Sequence, residues 1–337
     1  MTSGHEVATY ELSNWRRDWQ DRFIAFGICP WLSPTGDRVA APVRDGRGWT
    51  VAVNGEPWEG RWLKVSEHVF SRDGKRVAAV VSDELGDTVA IDGQPWRPRF
   101  ASALLPVLSF DGTHAAARVP SQGGYTVCVD GARWPEYYQE IDVLRFGPTG
   151  SRVAATVALE EMTKTLFGEG KMTIVVDGVA WPLVFRKCGT PNFSADGGKV
   201  AATVGDDRGE TVAVDGVSWD AHFEGSFHCA ISADGTHVVA GVRNEGRWTA
   251  AVDGQPWPVW FDEPLEEPRF SSDGQHVLAT VGESPWVDQL RYELSRTLGE
   301  AASRPSPPPP FRVVLDGEIW RPEFVAAEEV GPAKAFA

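Results

Sequence analysis

With 47 acidic and 32 basic side chains among 337 residues, the chain has a net charge of −15. This excess disfavours nucleic acid and anionic lipid surfaces, because no basic stripe offsets phosphate repulsion. Hydrophobic residues make up 42% of the chain and include 15 tryptophans, ample for a packed core, and no apolar run reaches the length of a membrane span.

The chain opens on Met1-Thr2-Ser3-Gly4-His5-Glu6, with neither a basic nor an apolar signal region, which predicts a cytoplasmic protein without a secretory leader. Within residues 1–24, Trp19-Gln20-Asp21-Arg22-Phe23 has the spacing of Trp96 to Phe100 and of Trp320 to Phe324. It predicts an extra outer strand ahead of the first repeat.

Two turn series then interleave. One is Gly36, Gly74, Gly112, Gly150, Gly197, Gly235 and Gly274, with gaps of 38, 38, 38, 47, 38 and 39 residues. The other is an Asp-Gly or Asn-Gly pair with a tryptophan three residues after the glycine: Trp58, Trp96, Trp134, Trp181, Trp219, Trp257 and Trp320. A period near forty residues with four short strands per unit is the signature of a β-propeller. The sequence therefore predicts an all-β, seven-bladed β-propeller of four-stranded blades, forming one domain over 1–337.

The second unit shows the pattern. Val69-Phe70-Ser71 predicts a first strand, Arg76 to Val81 a second and Thr88 to Ile91 a third, with a polar loop over 82–87. Asp92-Gly93 fits a type I′ turn, which needs positive φ at both central positions. Gln94 to Phe100 predicts a fourth, outer strand. A proline lies beside or one residue beyond the tryptophan in six of seven repeats, Trp219 being the exception. Proline cannot donate to a ladder, so it belongs on an edge. The tryptophans are expected to pack between blades and the first strands to line a channel.

Two insertions break the period between second and third strands, at 158–171 and 282–310. Leu159, Met162, Leu166 and Phe167 have helical spacing, as do Val287, Leu290, Leu294 and Leu298. Both are predicted to be short helical insertions. Met162, Leu166, Phe167, Trp286, Leu290 and Leu294 are the candidate partner-binding residues, because insertions in a repeat ring map to one face, often the binding face.

No chemical motif competes with this reading. His114, His237 and His276 share one turn position with Arg38, Arg76, Arg152 and Lys199, so repetition scatters them. His228-Cys229 lies on a first strand but brings too few ligands for a metal. Cys29, Cys128, Cys188 and Cys229 form no metal or redox spacing and predict reduced thiols. No G-x-S-x-G elbow is present, and the first strands are poor in acids. No catalytic, cofactor or metal site is expected.

Phe70-Ser71-Arg72-Asp73-Gly74-Lys75 and Phe193-Ser194-Ala195-Asp196-Gly197 resemble the Ser-Pro-Asp-Gly-Lys signature of TolB-like and WD-repeat-like propellers. The Gly-His and Trp-Asp dipeptides of true WD repeats are missing. The Val-Asp-Gly-x-x-Trp series also looks like the tryptophan-rich soluble subunit of the transmembrane tetraheme cytochrome complex of sulfate-reducing bacteria. That second resemblance implies a cofactor-free interaction subunit. Its protein partners would be iron–sulfur and cytochrome subunits of a membrane redox complex, holding it at the inner membrane without insertion. The alternative is a propeller enzyme acting on a sugar or peptide in the central channel. A small-molecule or periplasmic binding module is disfavoured by the lack of a signal sequence.

Overall fold

The computed structural model describes residues 19–27, 30–160, 170–282 and 311–324, without the side chains of Phe311 and residues 320–324. Met162, Leu166, Phe167, Trp286, Leu290 and Leu294 of the two insertion stripes lie outside the described residues, so the expected insertion helices are not placed. The named elements are all β-strands. They form seven antiparallel sheets, five of four strands and two of five. Each is a meander of the kind that builds a propeller blade. The chain divides into two compact units, residues 1–157 with 176–179, and residues 158–175 with 180–337.

In the second sheet the strands are Lys64–Phe70, Val77–Asp83, Gly86–Ile91 and Gln94–Pro95. The first three are longer than their sequence signals. Their ladders extend to a two-residue turn at Glu84-Leu85, where Asp83 pairs with Gly86, so the predicted polar loop is mostly strand. The fourth strand is shorter than predicted. It pairs at Gln94 and Pro95, breaks, and touches the third strand again at a single bridge between Phe100 and Asp87. Pro95 and Pro98 have no amide to donate at this bulge, but the fifth sheet breaks in the same way without a proline, between Ser218 and Phe223.

The bulge carbonyls are satisfied by side chains. Arg61 Nη1 donates to the carbonyls of Trp58, Glu59 and Gly60, and Arg99 Nη1 to those of Trp96, Arg97 and Pro98. A buried threonine on the third strand helps from beneath. Thr50 and Thr88 donate to the tryptophan carbonyl, while Thr173, Thr211 and Thr249 reach the carbonyl two residues further on. Thr126 reaches both positions. Buried hydroxyls are thereby paired, as burial requires.

The type I′ turns form as expected. Asp92 and Gly93 have φ of 46° and 83°, and the other six pairs match within a few degrees. The turn acid also closes the sheet sideways. Asp92 Oδ1 accepts from the Val77 amide at 3.0 Å. Asn54, Asp130, Asp177, Asp215, Asp253 and Asp316 accept likewise from the opening amides of their own second strands.

Sheets pack through the tryptophans, as the sequence predicts. Second-strand side chains alternate between two faces. Val77, Ala79 and Val81 receive Trp58 and Trp62 from the preceding sheet. Ala115, Ala117, Val119 and Cys128 receive Trp96 and Phe100. The alanines let the sheets approach. A Cβ on Gly93 would sit 2.9 Å from Trp58 Cβ, and one on Gly216 would sit 2.8 Å from Pro182 Cδ. Burying each aromatic pair stabilises by roughly 3–6 kcal/mol.

The N-terminal segment departs from expectation. Residues 19–23 form a turn, not an outer strand: the Arg22 and Phe23 amides both donate to the Trp19 carbonyl, at 3.0 and 3.2 Å. The first strand begins at Ala25–Phe26 and is interrupted before Trp31–Leu32. The fifth sheet repeats the interruption, between Lys187–Cys188 and Asn192–Phe193. Pro30 and Pro191 occupy matching positions in these gaps.

Candidate functional site

The first strands carry the most strained backbone. Glu67, Leu105, His228 and Glu267 have φ between 39° and 53° although none is glycine. All four fall at one position, four residues before the turn serine, beside a shift in ladder register. Each side chain is exposed at its bulge. Such conformations cost about 1–3 kcal/mol and persist only where the surroundings enforce them. In the second repeat the Glu67 carboxylate accepts the Leu105 amide at 2.6 Å. In the seventh, Arg269 pairs with Glu267 at 2.7 Å. Sequence reasoning missed these positions, since no residue type marks them.

His68 follows Glu67. It is buried against the edge of Trp31, with ring centroids 5.6 Å apart, and its Nε2 has no partner among the described residues. Burial holds its pKa down to about 4. In four other repeats proline stands at this position, so His68 is a polar residue in an apolar slot.

Three other histidines serve turns. His114, His237 and His276 place Nδ1 within 2.6, 2.6 and 2.7 Å of Asp130, Asp253 and Asp316. Arg152 makes the same contact with Asp177 at 2.9 Å. At these four positions, and at Arg76 with Asp92, the basic turn residue read from the sequence is the partner of the type I′ acid, whereas Arg38 donates to the carbonyls of Gly74 and Lys75. His228 and Cys229 diverge: the imidazole is exposed, while Cys229 Sγ is buried and accepts from Asn192 Nδ2. Cys128 and Cys188 are also buried, and burial raises their thiols to about 11 and about 12. Among the described residues no three metal-ligating side chains converge.

The bases of both insertions are described. In the fourth repeat the Leu159 amide donates to the Lys171 carbonyl, and Gly170 to Arg186. Leu159, Leu183 and Val184 are exposed there at 38%, 43% and 51%. In the seventh repeat Arg312 pairs with Glu263 at 2.6 Å. The seventh sheet has one well-buried face, Val277, Ala279 and Val281. Leu278 and Thr280 on the other are half-buried. Two cavities open along that second face. The larger, about 350 Å³, is lined by Arg269, Phe270, His276, Leu278 and Leu315 among others. The smaller, about 120 Å³, adds Glu266, Glu267 and Thr280. No helix among the described residues is long and apolar enough to cross a membrane.

No protein-family model matches the sequence, and no curated protein matches it. Solved structures are similar in architecture. A eukaryotic initiation factor aligns at 10% identity over 88% of this chain and 78% of its own, with a TM-score of 0.48. The Myceliophteria thermophila Cps50 (Swd1) β-propeller domain aligns at 12% identity over 76% and 95%, with a TM-score of 0.32. TolB from Acinetobacter baumannii aligns at 14% identity over 69% and 63%, with a TM-score of 0.30. At this distance neither activity nor partner carries over.

Proposed function

We propose that the chain is a non-catalytic interaction subunit whose seven sheets are the blades of one propeller. The supporting observation is the employment of its recurring polar residues. Each turn acid closes its own sheet, each third-strand threonine caps bulge carbonyls, and the turn histidines pair with turn acids. Exposed Leu159, Leu183 and Val184 at the foot of the fourth-repeat insertion support a docking face there. The apolar stripes of both insertions extend this reading to Met162, Leu166, Phe167, Trp286, Leu290 and Leu294. The resemblance of the Val-Asp-Gly-x-x-Trp series to the tryptophan-rich subunit of a tetraheme cytochrome complex makes a membrane electron-transfer assembly the partner of choice.

The test is co-purification from the native host of wild type and a Leu290→Glu/Leu294→Glu variant. A stoichiometric partner showing heme or iron–sulfur absorbance should accompany the wild type and be lost from the variant. The variant's melting temperature should be unchanged. A sharp fall in stability, with or without the partner, would mean that the stripe is core.

A further inference from the structure

The turn at residues 19–23 does the work of an outer strand that it is not part of. Trp19 and Phe23 are 8% and 5% exposed and pack on Val39, Ala41, Val43 and Ala52. Those four match Val77, Ala79, Val81 and Ala90, which receive Trp58 and Trp62 in the next sheet. The aromatic pairs also share an edge-to-face arrangement, with centroids at 6.3 Å for Trp19–Phe23 and 6.1 Å for Trp58–Trp62. The turn glycine is covered in the same way: a Cβ on Gly55 would lie 2.9 Å from Trp19 Nε1. An i, i+4 turn therefore reproduces the aromatic spacing of a bulged strand.

The arginine distinguishes this segment from the others. Arg61 and Arg99 sit at the same place, three residues after a tryptophan, and are consumed by their own bulge carbonyls and by Asp45 and Asp83. The turn has no such bulge, so Arg22 reaches across to the first repeat. Its Nη1 and Nη2 donate to Glu56 Oε1 and Oε2 at 3.0 and 3.2 Å, a two-pronged pair. Glu56 follows Gly55 directly; in the second to sixth repeats that position is Gln94, Ala132, Val179, Val217 and Gln255, all uncharged. The other segment with the Trp-x-x-x-Phe spacing of the chain ends, Trp320-Arg321-Pro322-Glu323-Phe324, carries an acid where Arg22 stands.

We propose that the first sheet's face at Gly55 is a peptide-binding site selective for a Trp-x-x-Arg-Phe segment, filled in cis by residues 19–23 and taking the same segment from a second molecule once these are withdrawn. The aromatic pair supplies affinity by burial. Glu56 supplies selection, rejecting an acid at the fourth position.

The experiment uses the full chain carrying Trp19→Ala and Phe23→Ala, with a labelled peptide of residues 15–24 as probe. Saturable binding to the variant and none to the wild type, whose site is filled, is the expected result. A peptide with Trp19→Ala should bind at least about ten-fold more weakly, as loss of a buried tryptophan requires. A peptide with Arg22→Glu should bind roughly three- to ten-fold more weakly, in keeping with an exposed but two-pronged ion pair. Adding Glu56→Arg to the protein should reverse that preference. A folded variant that binds no peptide, or a preference that Glu56→Arg leaves unreversed, would overturn the proposal. Should the double alanine variant fail to fold, the intact chain answers instead. Arg22→Glu and Glu56→Arg should each speed chymotryptic cleavage at Trp19 and Phe23, and their combination should restore protection. A combination as labile as the single variants would refute selection by Glu56.

Discussion

Gly216 and Gly246, both in the second compact unit, separate two costs that a glycine substitution usually confounds. Both have positive φ, 81° and 74°, so alanine at either meets the same left-handed backbone penalty, about 1–2 kcal/mol. Their surroundings differ. A Cβ at Gly246 would meet nothing within 4 Å. One at Gly216 would lie 2.8 Å from Pro182 Cδ and 3.2 Å from Trp181 Cγ. Neither can yield cheaply. The tryptophan is buried, and the proline ring is fixed to its own backbone. Overpacking of this kind adds about 1–3 kcal/mol. Gly216→Ala should therefore destabilise by roughly 2–5 kcal/mol and Gly246→Ala by roughly 1–2. Urea unfolding followed by tryptophan fluorescence measures both, with the midpoint shifting and the slope unchanged. Equal losses would refute the claim that the turn glycine is a packing surface for the neighbouring tryptophan.

Other outcomes follow from the buried and paired groups. Thiols raised to about 11 and 12 at Cys128 and Cys188 should resist iodoacetamide in the native protein at pH 8, with all four cysteines reacting after denaturation. His237 and His276 have pKa values raised by hydrogen bonds to Asp253 and Asp316. Their support for the fold is complete below the ordinary histidine pKa and is lost as pH rises through the raised value, so NMR titration should place both above free histidine. His68 has the opposite sign. Its folded pKa, about 4 against 6.5, means that stability falls as pH drops between those values and levels off below 4, by at most about 3 kcal/mol. His68→Leu should flatten the stability profile over that window, and an unchanged slope would show that the imidazole is not the group responsible.

The repeat was legible because turns and packing impose residue identity. A type I′ turn demands Asp-Gly or Asn-Gly, and the contact of Gly93 with Trp58 demands a glycine beside a tryptophan, so both reappear at fixed spacing. The turn histidines were legible for the same reason. The bulges were not. Glu67, Leu105 and His228 adopt one strained conformation with three unrelated side chains, because the surrounding sheets enforce it and no local preference does. The fourth strands were half legible. Pro95 and Pro98 announced an edge, but the bulge carbonyls between Pro95 and Phe100 are served by Thr88 from the third strand and by Arg99 folding back on its own segment.

Residues 19–23 show where spacing stops being a guide to conformation. Trp19 to Phe23 and Trp96 to Phe100 have the same separation, and that suggested one structure for both. A bulged strand and a single helical turn each bring residues four apart onto one face. Spacing therefore reported what is conveyed to the neighbouring sheet, two aromatic rings at a fixed offset, and not the backbone that carries them. What separates the two is the fate of the carbonyls. A bulge leaves them to side-chain donors, Arg99 in the second repeat and a third-strand threonine such as Thr211 in the fifth. A turn bonds the Trp19 carbonyl internally and releases Arg22 to Glu56. The same residue in the same place thus holds a strand together in one repeat and recognises a neighbour in another.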